Sequence, residues 1–134
     1  MDDDLRPEVV ERVRTTCLAL PDAYEEPAWT GVRWRVRTRT FAHLLHLHDG
    51  RPQSHARALG HDGPATLLTF RTPPSEVHAF ASMGEPYFYG GWGRDVVGLV
   101  LRDDTDWSEV AELLTDSYRE LAPQKLVARL SSSS

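Results

Sequence analysis

The sequence lacks the features that mark several large classes of protein. Its single cysteine, Cys17, cannot form an internal disulfide, which favours a reducing compartment such as the cytoplasm. No apolar run approaches the roughly 18 residues that a membrane-spanning helix needs. The first residues, MDDDLRPEVV, are acidic where a signal peptide would be basic and then apolar. These absences predict a cytoplasmic protein that neither enters the secretory pathway nor inserts in a membrane.

Motifs of the common catalytic classes are also absent. The sequence contains no HExxH pair and no nucleophile elbow. Gly90, Gly91 and Gly93 do not lie between a strand and a helix in the GxGxxG spacing of a dinucleotide site. Glu25 and Glu26 are adjacent, so on a strand they point to opposite faces and cannot act as a close carboxylate pair. We therefore expect a protein that is not an enzyme and has no catalytic residues.

The size and composition that are present fit one globular domain. The chain has 134 residues, of which 40% are hydrophobic and 26% charged. The net charge of -5 gives no general attraction to nucleic acid or to acidic membranes. This charge is unevenly distributed: residues 29–61 contain six arginines and one acid, whereas residues 103–120 contain seven acids and one arginine. The basic middle and the acidic end are the main electrostatic feature of the sequence.

Apolar periodicity predicts helices alternating with strands. Helices are predicted at 7–18, 75–82 and 106–121, with a last turn at 125–130, and extended segments at 23–27, 32–37, 40–48, 65–70 and 96–101. Residues 49–64 are rich in turn formers and are predicted to form a polar loop. An antiparallel sheet with helices packed on it, an α+β fold, accounts for this order. Residues 1–130 are predicted to form a single domain and residues 131–134 a disordered serine tail.

A row of arginines is the leading candidate for a binding site. Arginines alternate with apolar residues at 32–37, so Arg33, Arg35 and Arg37 would share one strand face about 7 Å apart. Arg39 in the adjoining turn would extend the row. Arginine suits bidentate contact with phosphate, and phosphate contacts dominate the affinity of proteins for nucleic acid. The alternative is a solvated face whose arginines pair with acids. Those acids would lie on a neighbouring strand or helix, and the candidates in the acidic helix are Glu109, Glu112, Asp116 and Glu120.

Aromatic side chains give the second candidate site. Residues 84–93 are rich in glycine and aromatic residues, and two tryptophans lie beside the arginines. Such rings stack on nucleic-acid bases or line the cleft of a small ligand, although aromatic residues at strand ends more often pack in the core or at its rim. The candidate ligand-binding residues are Trp29, Trp34, Tyr87, Tyr89 and Trp92.

Histidines cluster in the middle of the chain without forming a recognisable metal motif. His46 and His48 would share a strand face, which is a geometry that zinc can use. A third ligand would have to come from Asp49, His55 or His61. Because neither a second cysteine nor a fixed ligand spacing accompanies them, exposed strand histidines are the preferred interpretation and no metal site is predicted.

Five segments in a fixed order carry a resemblance to a known family: CLALPDAYEEPAW (17–29), WRVRTRTFAHL (34–44), TFRTPP (69–74), PYFYGGWGRDVVGLVL (86–101) and TDWSEVAELLTDSYRELAPQKL (105–126). The resemblance spans residues 8–126 and is to the MmcQ/YjbR family of small bacterial proteins. It implies an α+β fold that is similar to the fold of secretion chaperones. It also implies a suggested role in DNA binding, which is attributed to wing-like features. It implies no cofactor and no enzymatic chemistry. Family members usually carry a glycine-containing turn that ends in lysine before the FA pair, whereas this chain has Arg37-Thr38-Arg39.

Two hypotheses for function follow. The first is a non-enzymatic protein that contacts DNA weakly through phosphate contacts of the basic strand, at Arg33, Arg35, Arg37 and Arg39. The second is a module that binds a small molecule or a protein through the aromatic residues. The first predicts binding that weakens steeply with salt, and the second predicts binding that is insensitive to salt and lost when Trp92 is replaced.

Overall fold

The computed structural model of the chain describes residues 5–132. It contains five helices in that range: α1 (Pro7–Leu18), α2 (Gln53–Leu59), α3 (Pro74–Met83), α4 (Trp107–Leu121) and α5 (Gln124–Ser132). It contains six strands in the same range: β1 (Tyr24–Pro27), β2 (Val32–Val36), β3 (Arg39–Leu47), β4 (Ala65–Arg71), β5 (Tyr87–Phe88) and β6 (Val96–Leu101).

The six strands form one sheet in the order β1-β2-β3-β4-β6-β5, and each neighbouring pair is antiparallel. The first four strands follow one another along the chain, as expected for strands joined by short connections. The α+β fold with an antiparallel sheet, which the order of the predicted elements favoured, is confirmed. The sheet has two different faces, and their coverage decides where a site can lie.

One face of the sheet carries the main core. Helices α1 and α4 pack on it, and the strand residues that alternate toward them are apolar. Trp34, Leu44, Leu68 and Tyr118 are fully buried there, each with 0% of its surface exposed. The Tyr118 hydroxyl donates a hydrogen bond of 2.6 Å to the main-chain oxygen of Pro21, so α4 also holds the turn that follows α1.

Strand β3 contains a bulge at Phe41, which changes the predicted pattern of its faces. The register between β2 and β3 shifts there, so Phe41 has no partner in β2. Alternation alone placed Phe41 on the face of His43, and that prediction is wrong, because the Phe41 ring packs edge-on against Tyr118 at 5.6 Å. The buried Ser117 hydroxyl of α4 donates to the Phe41 carbonyl (2.6 Å) and accepts from the Arg71 amide (2.7 Å), which fixes the bulge.

The other face of the sheet is only partly covered. Helix α2 and the loop after β5 pack over a smaller apolar cluster that includes Leu45, Leu67 and Val100. Residues 49–64 were predicted to be a polar loop, and this is wrong for residues 53–59. A helix of seven residues is too short to show a periodic apolar stripe, and tertiary packing holds it in place: His55 stacks on Trp92.

The ends of the last two helices are set by local interactions. Asp106 caps α4, since its side chain accepts hydrogen bonds from the amides of Ser108 and Glu109. Helix α5 runs beyond the predicted last turn and includes Ser131 and Ser132, which were assigned to a disordered tail. Ser133 and Ser134 lie outside the described residues, as do residues 1–4. Within residues 5–132, no helix combines the length and apolar character needed to cross a membrane.

Candidate functional site

The arginines of β2 face away from the main core but are already paired. Arg33 donates from Nε to the Glu26 carboxylate at 2.7 Å, and Arg35 donates from Nη1 to the same oxygen at 3.0 Å. Glu26 lies on the edge strand β1, directly opposite Arg33 in the register. Hydrogen bonds from Arg33 and then Arg35 hold the pKa of Glu26 below its usual range. The two guanidinium groups therefore have a carboxylate partner within the sheet.

Glu25, the neighbour of Glu26, points to the opposite face, as strand alternation predicted. It accepts two hydrogen bonds from Arg14 of α1, at 2.8 and 3.0 Å, and one from the Trp34 indole at 2.9 Å. The bond from Arg14 is the main reason that the pKa of Glu25 is lowered. The two adjacent carboxylates thus stabilise two different faces of the sheet and are not a close pair.

The arginines at the β2–β3 turn are more accessible than those of the strand. Arg37 has a φ of 57°, in the left-handed region that favours glycine, at the turn between β2 and β3. Its guanidinium lies 3.4 Å from the Asp22 carboxylate. Arg39 is exposed at the start of β3. The four predicted arginines therefore do not form one continuous row, because Arg37 leaves the strand.

The acids that pair with these arginines precede or belong to β1, and do not come from the acidic helix. Helix α4 packs on the opposite face, where the Glu109 carboxylate accepts a hydrogen bond of 2.6 Å from the Tyr87 hydroxyl and Asp116 pairs with Arg119. The sequence left open pairing with a neighbouring strand or with the acidic helix, and the partners are Glu26 on the neighbouring strand β1 and Asp22 before it.

The predicted aromatic residues are divided between the two faces. Trp34 and Tyr87 belong to the main core with 0% and 7% exposure, and burial raises the pKa of Tyr87. Tyr89 is exposed but lies apart from the concave surface described next. Only Trp29 and Trp92 come together with one of the predicted arginines, Arg33.

These three residues line a cleft of about 350 Å³ on the partly covered face of the sheet, here called the Trp29–Trp92 cleft. Its polar floor follows one row across three strands, since Arg33 pairs with His43 in the register and His43 pairs with Thr69. Side chains directly opposite one another in this way lie within contact distance on the same face. Further side chains complete the walls: Ser54, His55 and Arg71.

The Trp29 wall is the connection between β1 and β2, and it is anchored to β3. The His43 ring lies 2.7 Å from the Thr30 carbonyl through its Nε2 atom, which acts as the donor because a carbonyl only accepts. Gly31 has a φ of 75°, and a Cβ atom there would lie 2.0 Å from the Leu44 carbonyl oxygen. Only glycine allows this close approach. The anchored loop leaves the Trp29 side chain 78% exposed at the rim of the cleft.

The Trp92 wall is built by ring packing. The indole stacks on His55 at 4.5 Å between centroids and meets Phe88 edge-on at 5.9 Å. Gly90 makes room for it, because a Cβ atom at that position would lie 2.3 Å from the indole ring. The Trp92 Nε1 atom is buried and has no hydrogen-bond partner among the described residues.

Arg71 and His55 set the electrostatics of the cleft. Arg71 donates from Nη1 to Asp95 at 2.9 Å and from Nε to the Thr40 carbonyl at 3.2 Å, which fixes its guanidinium beside the floor. Burial, aided by the nearby charge of His43, lowers the pKa of His55 to about 4, so its imidazole is neutral at pH 7. None of the residues that line the cleft is an aspartate or a glutamate.

His46, His48 and Cys17 lie outside the cleft. The rings of His46 and His48 stack at 6.4 Å, as expected for residues on one strand face. Within residues 5–132, no three His, Cys, Asp or Glu side chains lie close enough to hold a metal ion. Cys17 is fully buried in the main core, where burial raises the pKa of its thiol.

Sequence reasoning missed His43, His55, Thr69 and Arg71 as site residues. His55 was considered only as a metal ligand, and His43, Thr69 and Arg71 were not considered for a site. Their convergence depends on the register of β3 against β4 and on the position of α2, which a single sequence does not specify. The available signal was the alternation of β3, which places His43 on the face opposite Leu44.

Comparison with known proteins gives a family but no named activity. A model of the YjbR family matches residues 18–120. The fold is similar to a crystal structure of a Pseudomonas syringae protein, with a TM-score of 0.63 and 13% identity over 88% of this chain and 99% of that one. It is also similar to a Deinococcus radiodurans protein with a DUF419 domain, with a TM-score of 0.62 and 17% identity over 91% of this chain and 87% of that one. No curated protein matches the chain significantly.

Proposed function

We propose that this chain, which belongs to the YjbR family, is a non-enzymatic binding protein that holds a small molecule in the Trp29–Trp92 cleft. The single observation that carries the proposal is the convergence of two tryptophans and two arginines on one concave surface. Arg33 and Arg71 come from strands, Trp29 from an anchored connection and Trp92 from the loop after β5.

The physical properties of the cleft support this proposal. Its volume of about 350 Å³ lies within the range of roughly 300–1,000 Å³ that is typical of small-molecule sites. Such sites combine apolar and aromatic walls with a few fixed polar groups. Here the hydrogen bonds of Arg33 to Glu26 and of Arg71 to Asp95 hold the polar groups before any ligand arrives. Fixed groups of this kind reduce the entropic cost of binding.

A thermal-shift screen of a metabolite library tests the proposal. A ligand present at 100 times its dissociation constant stabilises the folded state by about 2.7 kcal/mol, which raises the melting temperature measurably. We expect Trp29→Ala to remove the shift, because Trp29 is 78% exposed and its loss alters the cleft more than the fold. The matched control is Tyr89→Ala, which removes an exposed aromatic residue that does not line the cleft. A shift that persists in Trp29→Ala would refute the site.

Weak DNA binding through the basic strand is the second candidate function. The observation that favours it is the exposure of Arg37 and Arg39 at the β2–β3 turn, where the family resemblance suggests a wing. Three observations oppose it: Arg33 and Arg35 both pair with Glu26, Asp22 lies beside Arg37, and the chain carries a net charge of -5. Any affinity would therefore depend mainly on the turn.

Fluorescence anisotropy of a labelled random duplex at two salt concentrations tests this second function. Binding through phosphates must fall steeply with salt and must be lost in the double variant Arg37→Glu, Arg39→Glu. The control, Arg119→Glu, makes the same type of charge change on α4, which packs on the opposite face. If the duplex does not bind at low salt, or if the double variant binds as the wild type does, DNA binding by this strand is excluded.

A further inference from the structure

We infer that the ligand of the Trp29–Trp92 cleft is a small organic monoanion with a flat apolar body, of the class of aromatic carboxylates. The inference rests on the proposed function and adds the chemistry of the ligand. Three features of the cleft carry it: hydrogen-bond donors without acidic residues, a buried donor without an acceptor, and an exposed aromatic face.

The ionisable side chains of the cleft select for negative charge. Arg33 and Arg71 both line it, and no aspartate or glutamate does. The bonds of Arg71 to Asp95 and Thr40 use Nε and Nη1, and do not use Nη2. Guanidinium N–H groups can only donate, so they favour a ligand that accepts, and a carboxylate matches their geometry best. A cationic ligand would meet two arginines and no acid in the lining.

The half-buried Trp92 indole, which lines the cleft, adds a second donor. Its Nε1 atom is buried and has no partner among the described residues, although buried donors of folded proteins are nearly always paired. An unpaired buried donor costs about 1–3 kcal/mol, so a ligand whose acceptor reaches Nε1 when it binds would gain affinity. The stack on His55 and the edge contact with Phe88 hold the indole in place.

A single negative charge fits the cleft better than several. Asp95 offsets the charge of Arg71, but Glu26 is shared by Arg33 and Arg35, so these three arginines and two carboxylates leave one positive charge for a ligand to neutralise. His55 adds no charge at pH 7, since it is buried and neutral. A nucleoside triphosphate or another polyanion would therefore be left with uncompensated charge, whereas one carboxylate can share the remaining N–H donors.

The aromatic character of the ligand follows from Trp29. This indole is 78% exposed on a connection that is fixed by the His43–Thr30 hydrogen bond and by the close approach of Gly31 to β3. An exposed tryptophan on an anchored connection at the rim of a cleft offers its face to a planar ring, and an aromatic pair adds about 0.5–1.5 kcal/mol beyond the area that it buries. The ligand's carboxylate binds at the polar floor, and its aromatic ring stacks on Trp29.

Isothermal titration calorimetry with three matched probes tests the inference. The probes are 2-naphthoate, its neutral isostere 2-naphthamide, and the cation 2-naphthylmethylammonium. We expect 2-naphthoate to bind about ten-fold or more tightly than the other two, which corresponds to one hydrogen bond to a charged group. Equal affinity for the anion and the amide, or a preference for the cation, would overturn the inference.

Two variants measure separately how much the Arg71 guanidinium and the Trp29 ring contribute to the affinity. The double variant Arg71→Gln, Asp95→Asn removes both partners of the pair, so that no charge is left unpaired. It should weaken 2-naphthoate about ten-fold and leave 2-naphthamide unchanged. Trp29→Ala should weaken both, whereas Tyr89→Ala should weaken neither. If the double variant binds 2-naphthoate as the wild type does, the assignment of the anion site is refuted.

The probes also distinguish an error in the ligand class from an error in the site. If the amide or the cation binds best and Trp29→Ala abolishes that binding, the cleft is a small-molecule site but the ligand class inferred here is wrong. If no probe binds and the metabolite screen gives no ligand that depends on Trp29, the inference and the proposed function are both overturned.

Discussion

Acidification should destabilise the folded chain through His55. His55 is 7% exposed and stacks on Trp92, and its folded pKa is about 4 against an ordinary value of 6.5. Below pH 6.5 the unfolded chain therefore binds a proton that the folded chain does not. The stabilisation by neutral His55 is fully present above pH 6.5 and is lost as the pH falls toward 4.

The size of this effect follows from the two pKa values. One pKa unit corresponds to about 1.4 kcal/mol, so the gap between 6.5 and about 4 amounts to about 3 kcal/mol in full. At pH 5 the loss relative to pH 7 is about 2 kcal/mol. Glu25 does not contribute in this window, because its folded pKa lies below its ordinary value of 4.5 and its stabilisation is lost only at lower pH.

Urea denaturation at pH 7 and pH 5, followed by tryptophan fluorescence, measures the effect. In His55→Phe the ring that stacks on Trp92 is kept and the titrating group is removed, so the wild type should lose about 2 kcal/mol more than this variant between the two pH values. The control is His78→Gln, an exposed position on α3, which should behave as the wild type does. Equal pH dependence of His55→Phe and the wild type would refute the account of a buried, neutral His55.

Two further predictions concern the parts of the fold that position the cleft. Gly31→Ala should destabilise the chain by about 2–4 kcal/mol in urea denaturation, because the new Cβ atom would clash with the Leu44 carbonyl. The control is Gly60→Ala, which is also at positive φ but has no atom within 4 Å of the new Cβ, so it should cost only about 1 kcal/mol. Equal losses in the two variants would contradict this account. Ser117→Ala should lower the free energy of unfolding by about 2 kcal/mol in the same assay, because the Ser117 hydroxyl is buried and makes two hydrogen bonds at the β3 bulge. A decrease of less than about 0.5 kcal/mol would show that the bulge does not depend on this hydroxyl.

The sequence predicted the long regular elements because their residues repeat with a clear period. The alternation from Val32 to Val36 and the apolar stripe of Trp107–Leu121 both lead to elements at those positions. The bulge at Phe41 could not be predicted, since it depends on a hydrogen bond from Ser117, which lies 76 residues away in the sequence. Helix α2 was missed because seven residues give too little periodicity.

The candidate site could be predicted only in part for the same reason. Trp29, Trp92 and Arg33 were recognised by residue type and reach the cleft, whereas Trp34 and Tyr87 have the same chemistry but lie on the core side. Which face a tryptophan occupies depends on strand register and helix packing. The pairing of Arg33 and Arg35 likewise depends on Glu26. Pairing with an acid of a neighbouring strand was an open alternative, but the sequence did not show that β1 lies beside β2.

The most direct test of the central claim is a ¹⁵N–¹H NMR titration that follows the four tryptophan indole N–H signals as 2-naphthoate is added. Trp29 and Trp92 line the cleft, and Trp34 is fully buried in the main core. Trp107 lies at the start of α4, where the guanidinium carbon of Arg12 from α1 is 5.2 Å from the centre of its ring. The account predicts that the signals of Trp29 and Trp92 shift with one common affinity and that those of Trp34 and Trp107 stay in place. Shifts at Trp34 or Trp107 with Trp29 and Trp92 unmoved, or no shift at any indole, would contradict it.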